Sequence, residues 1–316
     1  MSMLSRRQFV LSAAAAAASK AAAAPLTPKQ RIDRALKGEA VDRAPFSFWH
    51  HFLDADKPPE VHARSTLEFH RKFRTDLVKV MSDYPYPKPR AEWFQLKVER
   101  NPFPQQIRAL ELIRDGLRDE AYFIETIFNP YQIAEKLSSK DAVQQLRAGK
   151  PQTLLDALEV IARSEANHAR RAIQAGASGV FVSITNSADP EYAKFSAPFD
   201  KMIFEAVRSA PLNTLHIHGD KINLDHFSSG WPAPVLNYSP DATHIPIAAV
   251  RSRWSGVIMA GLDENNFRKI REAQLKRVYL EASRAAGKKF IFAPGCSVPN
   301  DTTDDELLRV TRLFGA

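Results

Sequence analysis

Short apolar runs alternate along the chain with longer segments in which apolar residues recur at helical spacing. Eight runs have the length and the β-branched or aromatic content of buried strands, and each is bounded by proline, glycine, aspartate or asparagine. They cover residues 46–49, 77–81, 122–128, 179–184, 215–218, 235–238, 256–260 and 290–293. The amphipathic segments between them include residues 104–117, 154–175, 201–209 and 265–286. Strands that alternate with helices predict a parallel sheet covered by helices.

Eight such units in a chain of 316 residues predict a single α/β domain folded as a (β/α)8 barrel, or TIM barrel. Residues 28–37 precede the first predicted strand and form a helical pattern. We expect this N-terminal helical extension to plug the bottom of the barrel. The proline-rich residues 84–90 are too irregular for a short strand-to-helix turn and are predicted to form an active-site loop.

Polar side chains follow the carboxyl ends of the predicted strands, where barrel enzymes place their active sites. Three of them, Asp83, His50 and His51, are expected to be catalytic. Those expected to bind substrate are Tyr84, Glu125, Thr185, Asn186, Asn237 and Asp263. Structural alternatives exist, because Asp263 has the sequence of a helix cap, and Asn186 and Asp83 have that of turn residues.

Two histidines at a spacing of two, His216 and His218, lie on a predicted strand and must therefore point to the same face. The only cysteine, Cys296, follows another predicted strand. Two imidazoles and a thiolate would supply three of the four ligands of a tetrahedral zinc ion. The alternative is that the histidines make ordinary hydrogen bonds and that Cys296 is a small buried hydrophobe.

Composition and charge narrow the classes of partner. The formal net charge is +8, but lysine and arginine are scattered and no groove-reading motif is present. We therefore expect a small-molecule substrate, with acidic ones favoured, and no nucleic-acid partner. A single cysteine excludes an intramolecular disulfide.

The first residues have the features of an export signal. Arg6 and Arg7 precede an apolar stretch at residues 9–19, and Ala-x-Ala precedes Pro25. This pattern resembles a twin-arginine signal peptide, and the stretch is too short for a permanent membrane anchor. We predict a signal peptide at residues 1–24, a mature barrel domain at 25–316, and export to the periplasm. The alternative is an alanine-rich N-terminal helix.

Several segments together resemble the uroporphyrinogen decarboxylase (URO-D) superfamily over nearly all of the mature chain. They are residues 34–45, residues 76–81 with Asp83 beyond them, and residues 175–177, 215–219, 261–263 and 294–299. The resemblance implies a (β/α)8 barrel that is often a homodimer.

The sequence departs from both well-known branches of that superfamily. The decarboxylases are similar at Asp83, the aspartate that gathers pyrrole N–H groups, but they carry paired arginines where residues 46–53 offer His50 and His51. The corrinoid-linked methyltransferases bind zinc through His-x-Cys and a distant cysteine in a Pro-Gly-Cys context. His216 and Cys296 match that pattern, and His218 occupies the position of the middle ligand.

The resemblance implies a zinc-site methyltransferase that acts on a thiol, with a corrinoid or another methyl donor. One alternative is decarboxylation of uroporphyrinogen to coproporphyrinogen. A second is an exported, non-catalytic protein that binds a tetrapyrrole or a corrinoid.

Overall fold

A parallel sheet of seven strands forms the centre of the fold. The computed structural model describes residues 24–315. The strands lie in chain order, each paired with the next. They are β1 (Leu77–Val80), β2 (Tyr122–Phe128), β3 (Val180–Ile184), β4 (Thr214–Ile217), β5 (Val235–Asn237), β6 (Val257–Leu262) and β7 (Phe290–Pro294). Seven of the eight predicted strands are thus confirmed, and every end lies within two residues of its predicted position.

Twelve α-helices connect and cover these strands in the described part of the chain. They are α1 (Pro28–Lys37), α2 (Pro59–Phe73), α3 (Pro104–Leu117), α4 (Pro130–Leu137), α5 (Lys140–Gly149), α6 (Pro151–Gln174), α7 (Tyr192–Phe195), α8 (Ala197–Ala206), α9 (Pro240–Thr243), α10 (Ile247–Arg251), α11 (Glu272–Ala286) and α12 (Asp304–Arg312). No helix within residues 24–315 is long and apolar enough to cross a membrane.

The prediction of a regular strand at residues 46–49 is wrong. This segment makes only an isolated parallel bridge, between Phe46 and Phe292. Side chains interrupt the ladder. The carboxylate of Asp76 accepts the Phe46 amide at 2.9 Å, and the Ser47 hydroxyl donates to the carbonyl of Leu77 at 2.8 Å. Backbone bonds still join this segment to both edges of the sheet, from Ser47 to Phe292 and from Asp76 to Phe46.

Alternation along the strands separates two packing layers. Even-numbered residues of β3, for example, pack against the outer helices, whereas Phe181 and Ser183 face inward. The inner face forms its own apolar cluster, in which Ile32 of α1 packs with Leu77 of β1 and Ile291 of β7. Helix α1 has the predicted bounds and begins with a capping box at Thr27.

Candidate functional site

The inner face of the sheet changes from apolar to polar towards the carboxyl ends of the strands, where it surrounds a cavity of about 270 Å³. Its lining residues come from strands β1 to β4, from helix α4, from the segment before α2 and from the turns after β1, β4 and β7. The cavity is lined by Trp49, His51, Lys79, Met81, Thr126, Phe128, Gln132, Lys136, Phe181, Ser183, His216, His218, Cys296 and Ser297.

Three of these side chains converge on one point. Ligand atoms of His216, His218 and Cys296 all lie within 4.8 Å of one another. The Cys296 Sγ is 3.4 Å from the Nδ1 of His218, and the two imidazole centroids are 5.4 Å apart. The predicted orientation of both histidines to one face is therefore confirmed, and the distant cysteine joins them.

Asn237 orients the buried His216. These residues are register partners on β4 and β5, and the Nδ1 of His216 is 2.6 Å from the Oδ1 of Asn237. The Asn237 amide donates to the carbonyls of Met259 and Pro294, so its oxygen must face the imidazole. His216 Nδ1 is then the donor, which leaves Nε2 as the nitrogen available to Cys296 or to a metal ion.

Gly295 brings the thiol to this position. A Cβ at residue 295 would lie 2.2 Å from the Cα of Ser239, so only glycine allows the two backbones to approach so closely. The Gly295 amide donates to the buried carboxylate of Glu264 at 3.1 Å, which fixes the turn after β7. Cys296 is placed beside the histidines as a result.

The histidines change the acidity of the thiol. Burial alone raises the pKa of Cys296, but hydrogen bonds and charge from His216 and His218 lower the pKa to about 4. The hydrogen bond that His218 donates to the Cys296 sulfur raises the pKa of His218, whereas burial lowers that of His216. The cluster thus favours a thiolate, which is the form that binds metals.

A second group of polar residues, His51 and Asp83, lies beside the same cavity. The Nδ1 of His51 is 2.5 Å from the Oδ1 of Asp83, and the other Asp83 oxygen is buried without a hydrogen-bond partner among the described residues. Burial raises the pKa of Asp83, but the hydrogen bond and charge of His51 outweigh it and lower that pKa. Because the Nδ1 of His51 is hydrogen-bonded to Asp83, the Nε2 is the nitrogen available to a molecule in the cavity.

His62, on α2, adjoins this pair. Its two nitrogens lie 2.9 Å from the Oδ1 of Asp54 and 2.9 Å from the carbonyl of Met81, and both of those atoms are acceptors. His62 must then donate from both nitrogens, as an imidazolium. Burial opposes the charge, but Asp54 raises the pKa of His62. Although ligand atoms of Asp54, His62 and Asp83 lie within 4.8 Å of one another, His62 has no lone pair for a metal.

The remaining predicted site residues lie outside the cavity lining. His50 bonds to the carbonyl of His51, and the Tyr84 hydroxyl bonds to that of Lys57. Glu125 points to the helical layer, where His168 and Gln106 bond to it.

Three further predicted site residues also lie outside the cavity lining. Asn186 bonds to Asn129 and Ser196, and Asp263 accepts the amides of the turn at residues 265 and 266. The Thr185 hydroxyl is buried without a hydrogen-bond partner among the described residues.

Sequence reasoning missed several cavity residues, of which Lys79 is the most unusual. It lies in the four-residue strand β1, where every residue is buried. A lysine at an inward position of an apolar strand was the signal that would have found it. Lys136 and Gln132 carried no such signal, because helix α4 brings them to the cavity only in the folded chain, and neither did Phe128 at the end of β2.

Comparisons with known proteins identify the family and the fold. A family model described as uroporphyrinogen decarboxylase (URO-D) matches residues 85–314. No curated protein matches the chain in sequence. Among solved structures, a methyltransferase from Methanosarcina mazei superposes with a TM-score of 0.71 at 18% identity, over 92% of this chain and 100% of its own.

Two further solved structures are more distant. A B12-independent methionine synthase from Shewanella sp. W3-18-1, in complex with selenomethionine, has a TM-score of 0.58 at 9% identity, over 85% of this chain and 91% of its own. A putative vitamin-B12 independent methionine synthase from Listeria monocytogenes has a TM-score of 0.53 at 13% identity, over 86% and 95%. At these identities the likeness establishes the fold alone.

Proposed function

The chain belongs to the uroporphyrinogen decarboxylase family, and we propose that it is a methyltransferase that transfers a methyl group to a small thiol at a zinc site. The observation that carries the proposal is the convergence of His216, His218 and Cys296 within 4.8 Å at the wall of a cavity. The names of the structural neighbours agree with it but do not decide it.

The donor set fits zinc. Two imidazoles and one thiolate are ligands of the type that tetrahedral zinc prefers, and three protein ligands leave one position for a substrate. Asn237 holds His216 in the tautomer that binds through Nε2. When bound, zinc supplies Lewis acidity, which lowers the pKa of a substrate thiol from its usual value of about 8.5.

The size of the cavity favours a small substrate. Its volume of about 270 Å³ is below the range of roughly 300–1,000 Å³ that is typical for pockets that hold drug-sized ligands. A tetrapyrrole or a corrinoid is larger than that. We therefore propose that the thiol enters the cavity and that a corrinoid, if it is the methyl donor, approaches from outside the mouth.

His51 and Asp83 would remove the thiol proton. Asp83 holds the Nδ1 of His51 at 2.5 Å, so the Nε2 faces the cavity as a base. As the sulfur attacks the methyl carbon, a carbon–sulfur bond forms, the bond from the donor to the methyl group breaks, and its electron pair stays with the donor. The proton remains on His51.

Three further features belong to the proposal. Residues 45–49 bond to both sheet edges, and we take them as the eighth position of a closed (β/α)8 barrel that α1 plugs from below. The mature domain would cover residues 25–316 and form a homodimer. Residues 1–24 would direct export to the periplasm, although all of them except Ala24 lie outside the described residues.

Metal analysis of the mature protein tests the central claim. We expect close to one zinc per chain, and a sharp fall in both His216→Ala and Cys296→Ser. His50→Ala is the matched control, because His50 bonds to the carbonyl of His51 and does not line the cavity. Circular dichroism would verify that each variant is folded.

Other results would favour the alternatives. Wild-type protein that stays metal-free and cannot be reconstituted with zinc would overturn the proposal. Release of carbon dioxide from uroporphyrinogen by that protein would then identify a decarboxylase. A spectral shift of added porphyrin or corrinoid without turnover would identify a binding protein.

A further inference from the structure

Lys79 is a buried cation that pairs with no carboxylate of the described residues. Its side chain is on the inner face of β1 and the residue is only 7% exposed. The Nζ lies 2.9 Å from the Sδ of Met81, and no carboxylate among residues 24–315 forms an ion pair with it. A buried ammonium is unfavourable unless it is paired, so a carboxylate that entered the cavity would stabilise the charge of Lys79.

Aromatic rings hold the ammonium beside the proposed metal ligands. The Nζ is 4.8 Å from the centroid of Phe181 and 5.4 Å from that of Trp49. The same Phe181 ring stacks on the imidazole of His216, with centroids 4.8 Å apart. One phenyl ring therefore contacts both the cation and a member of the His216, His218 and Cys296 group.

The lining of the cavity is cationic. Lys79 lies in its wall and Lys136 at its mouth, where the Lys136 ammonium is 3.0 Å from the centroid of Phe128. Of the described residues that line the cavity, Cys296 is the only one with an acidic side chain, and it faces the histidines. Cys296, Asp83 and Glu125 offset part of the Lys79 charge, but the Nζ contacts only the Sδ of Met81, which leaves a position for an entering anion.

We propose that the substrate is a short thiol that also carries a carboxylate, and that this carboxylate pairs with Lys79 while the sulfur faces His216, His218 and Cys296. The proposal rests on the thiol-binding function given above and names its substrate class. Lys79 would then select anionic thiols over neutral ones, because a charge-assisted pair in a desolvated site is stronger than a contact with water.

Cobalt substitution gives a direct readout of thiol binding. Co²⁺ in the metal site would show ligand-field absorption, and a thiol that reaches the metal adds a sulfur-to-cobalt charge-transfer band. Titration with mercaptopropionate, neutral propanethiol and cationic cysteamine compares three thiols of similar size. We expect the affinity of wild-type protein to fall in that order, with mercaptopropionate about tenfold or more tighter than propanethiol.

Variants assign the preference to Lys79. In Lys79→Met the preference for mercaptopropionate over propanethiol should vanish, while cobalt binding and propanethiol affinity remain. Lys201→Met is the matched control, since Lys201 also packs over an aromatic ring, Trp231 at 5.1 Å, but outside the cavity. It should retain the preference.

The outcomes separate this inference from the proposed function. Cobalt binding with equal affinity for the three thiols in wild-type protein would overturn the role of Lys79 and leave the metal site intact. Failure to bind cobalt would overturn the proposed function. In that case, calorimetric titration of the metal-free protein with propionate still tests Lys79: binding that is lost in Lys79→Met supports the carboxylate subsite, and equal binding or none in wild-type protein refutes it.

Discussion

Single side chains determine the geometry of the thiolate and imidazole cluster, and Asn237 is the one with the clearest role. It accepts from the Nδ1 of His216 at 2.6 Å, and two backbone carbonyls hold its amide in that orientation. Without this acceptor, His216 is free to change tautomer or to rotate.

Asn237→Ala should therefore weaken metal binding about 10- to 100-fold, the usual effect of removing a partner that orients a metal ligand. Asn237→Asp keeps an acceptor for His216 but sets a second acceptor against the carbonyls of Met259 and Pro294, so it should also lose affinity. Competition with a chromophoric chelator would measure both constants. Equal affinities of Asn237→Ala and wild-type protein would show that His216 needs no such support.

Asp200 is a second residue whose environment has a measurable consequence. Burial raises its pKa to about 7, against the hydrogen bonds from Tyr192 at 2.8 Å and from Asn129 at 3.3 Å. The folded state thus binds a proton more tightly than the unfolded state, in which the pKa is about 3.9. The stability that this proton provides is present below about pH 4 and is lost as the pH rises to about 7.

We predict that the free energy of unfolding of wild-type protein falls between pH 5 and pH 7 relative to that of Asp200→Asn. The difference for one proton approaches about 1.4 kcal/mol per pH unit. Urea denaturation of both proteins across this range would measure it. Parallel pH profiles would mean that Asp200 ionises normally in the folded protein.

At the scale of elements, residues 45–49 bridge the two edges of the sheet. The Ser47 amide donates to the carbonyl of Phe292 at 3.0 Å, and its hydroxyl to that of Leu77. Phe46, fully buried, stacks on Phe314 with centroids 4.2 Å apart. Two hydrogen-bonding groups of one residue therefore join β7 to β1.

Ser47→Pro removes the amide donor and leaves a buried carbonyl unpaired, so it should destabilise the protein by about 1–3 kcal/mol more than Ser47→Ala, which loses only the hydroxyl bond. Thermal unfolding of the two variants gives the comparison. Equal unfolding temperatures would show that this segment does not hold the sheet edges together.

At the scale of the whole molecule, the proposed export depends on residues that precede the domain. If residues 1–24 are a twin-arginine signal, replacing both Arg6 and Arg7 with lysine should retain the protein in the cytoplasm, because the arginine pair is the recognised feature. Lys20→Ala leaves the pair intact and should be exported. Fractionation of cells that express each form, with N-terminal sequencing, would measure this; export of the double-lysine form would refute the proposal.

Apolar runs and the two-residue period of a strand were enough to predict an α/β fold and to propose His216, His218 and Cys296 as metal ligands. Seven strands lie where apolar runs predicted them, because a buried strand requires a continuous apolar segment and its ends require turn residues. His216 and His218 share a face because the side-chain period of a strand is two residues.

The surroundings of those residues follow from contacts between segments that are distant in sequence. Asn237 supports His216 because β4 and β5 pair in that register, and Glu125 faces the helices because a neighbour, Thr126, takes the inward position. The position of Lys79 in the cavity wall could not be predicted from the sequence either, because its contacts with Trp49 and Phe181 come from segments distant in sequence. Local pattern determines which face a side chain takes, but packing between distant segments determines which partner it meets there.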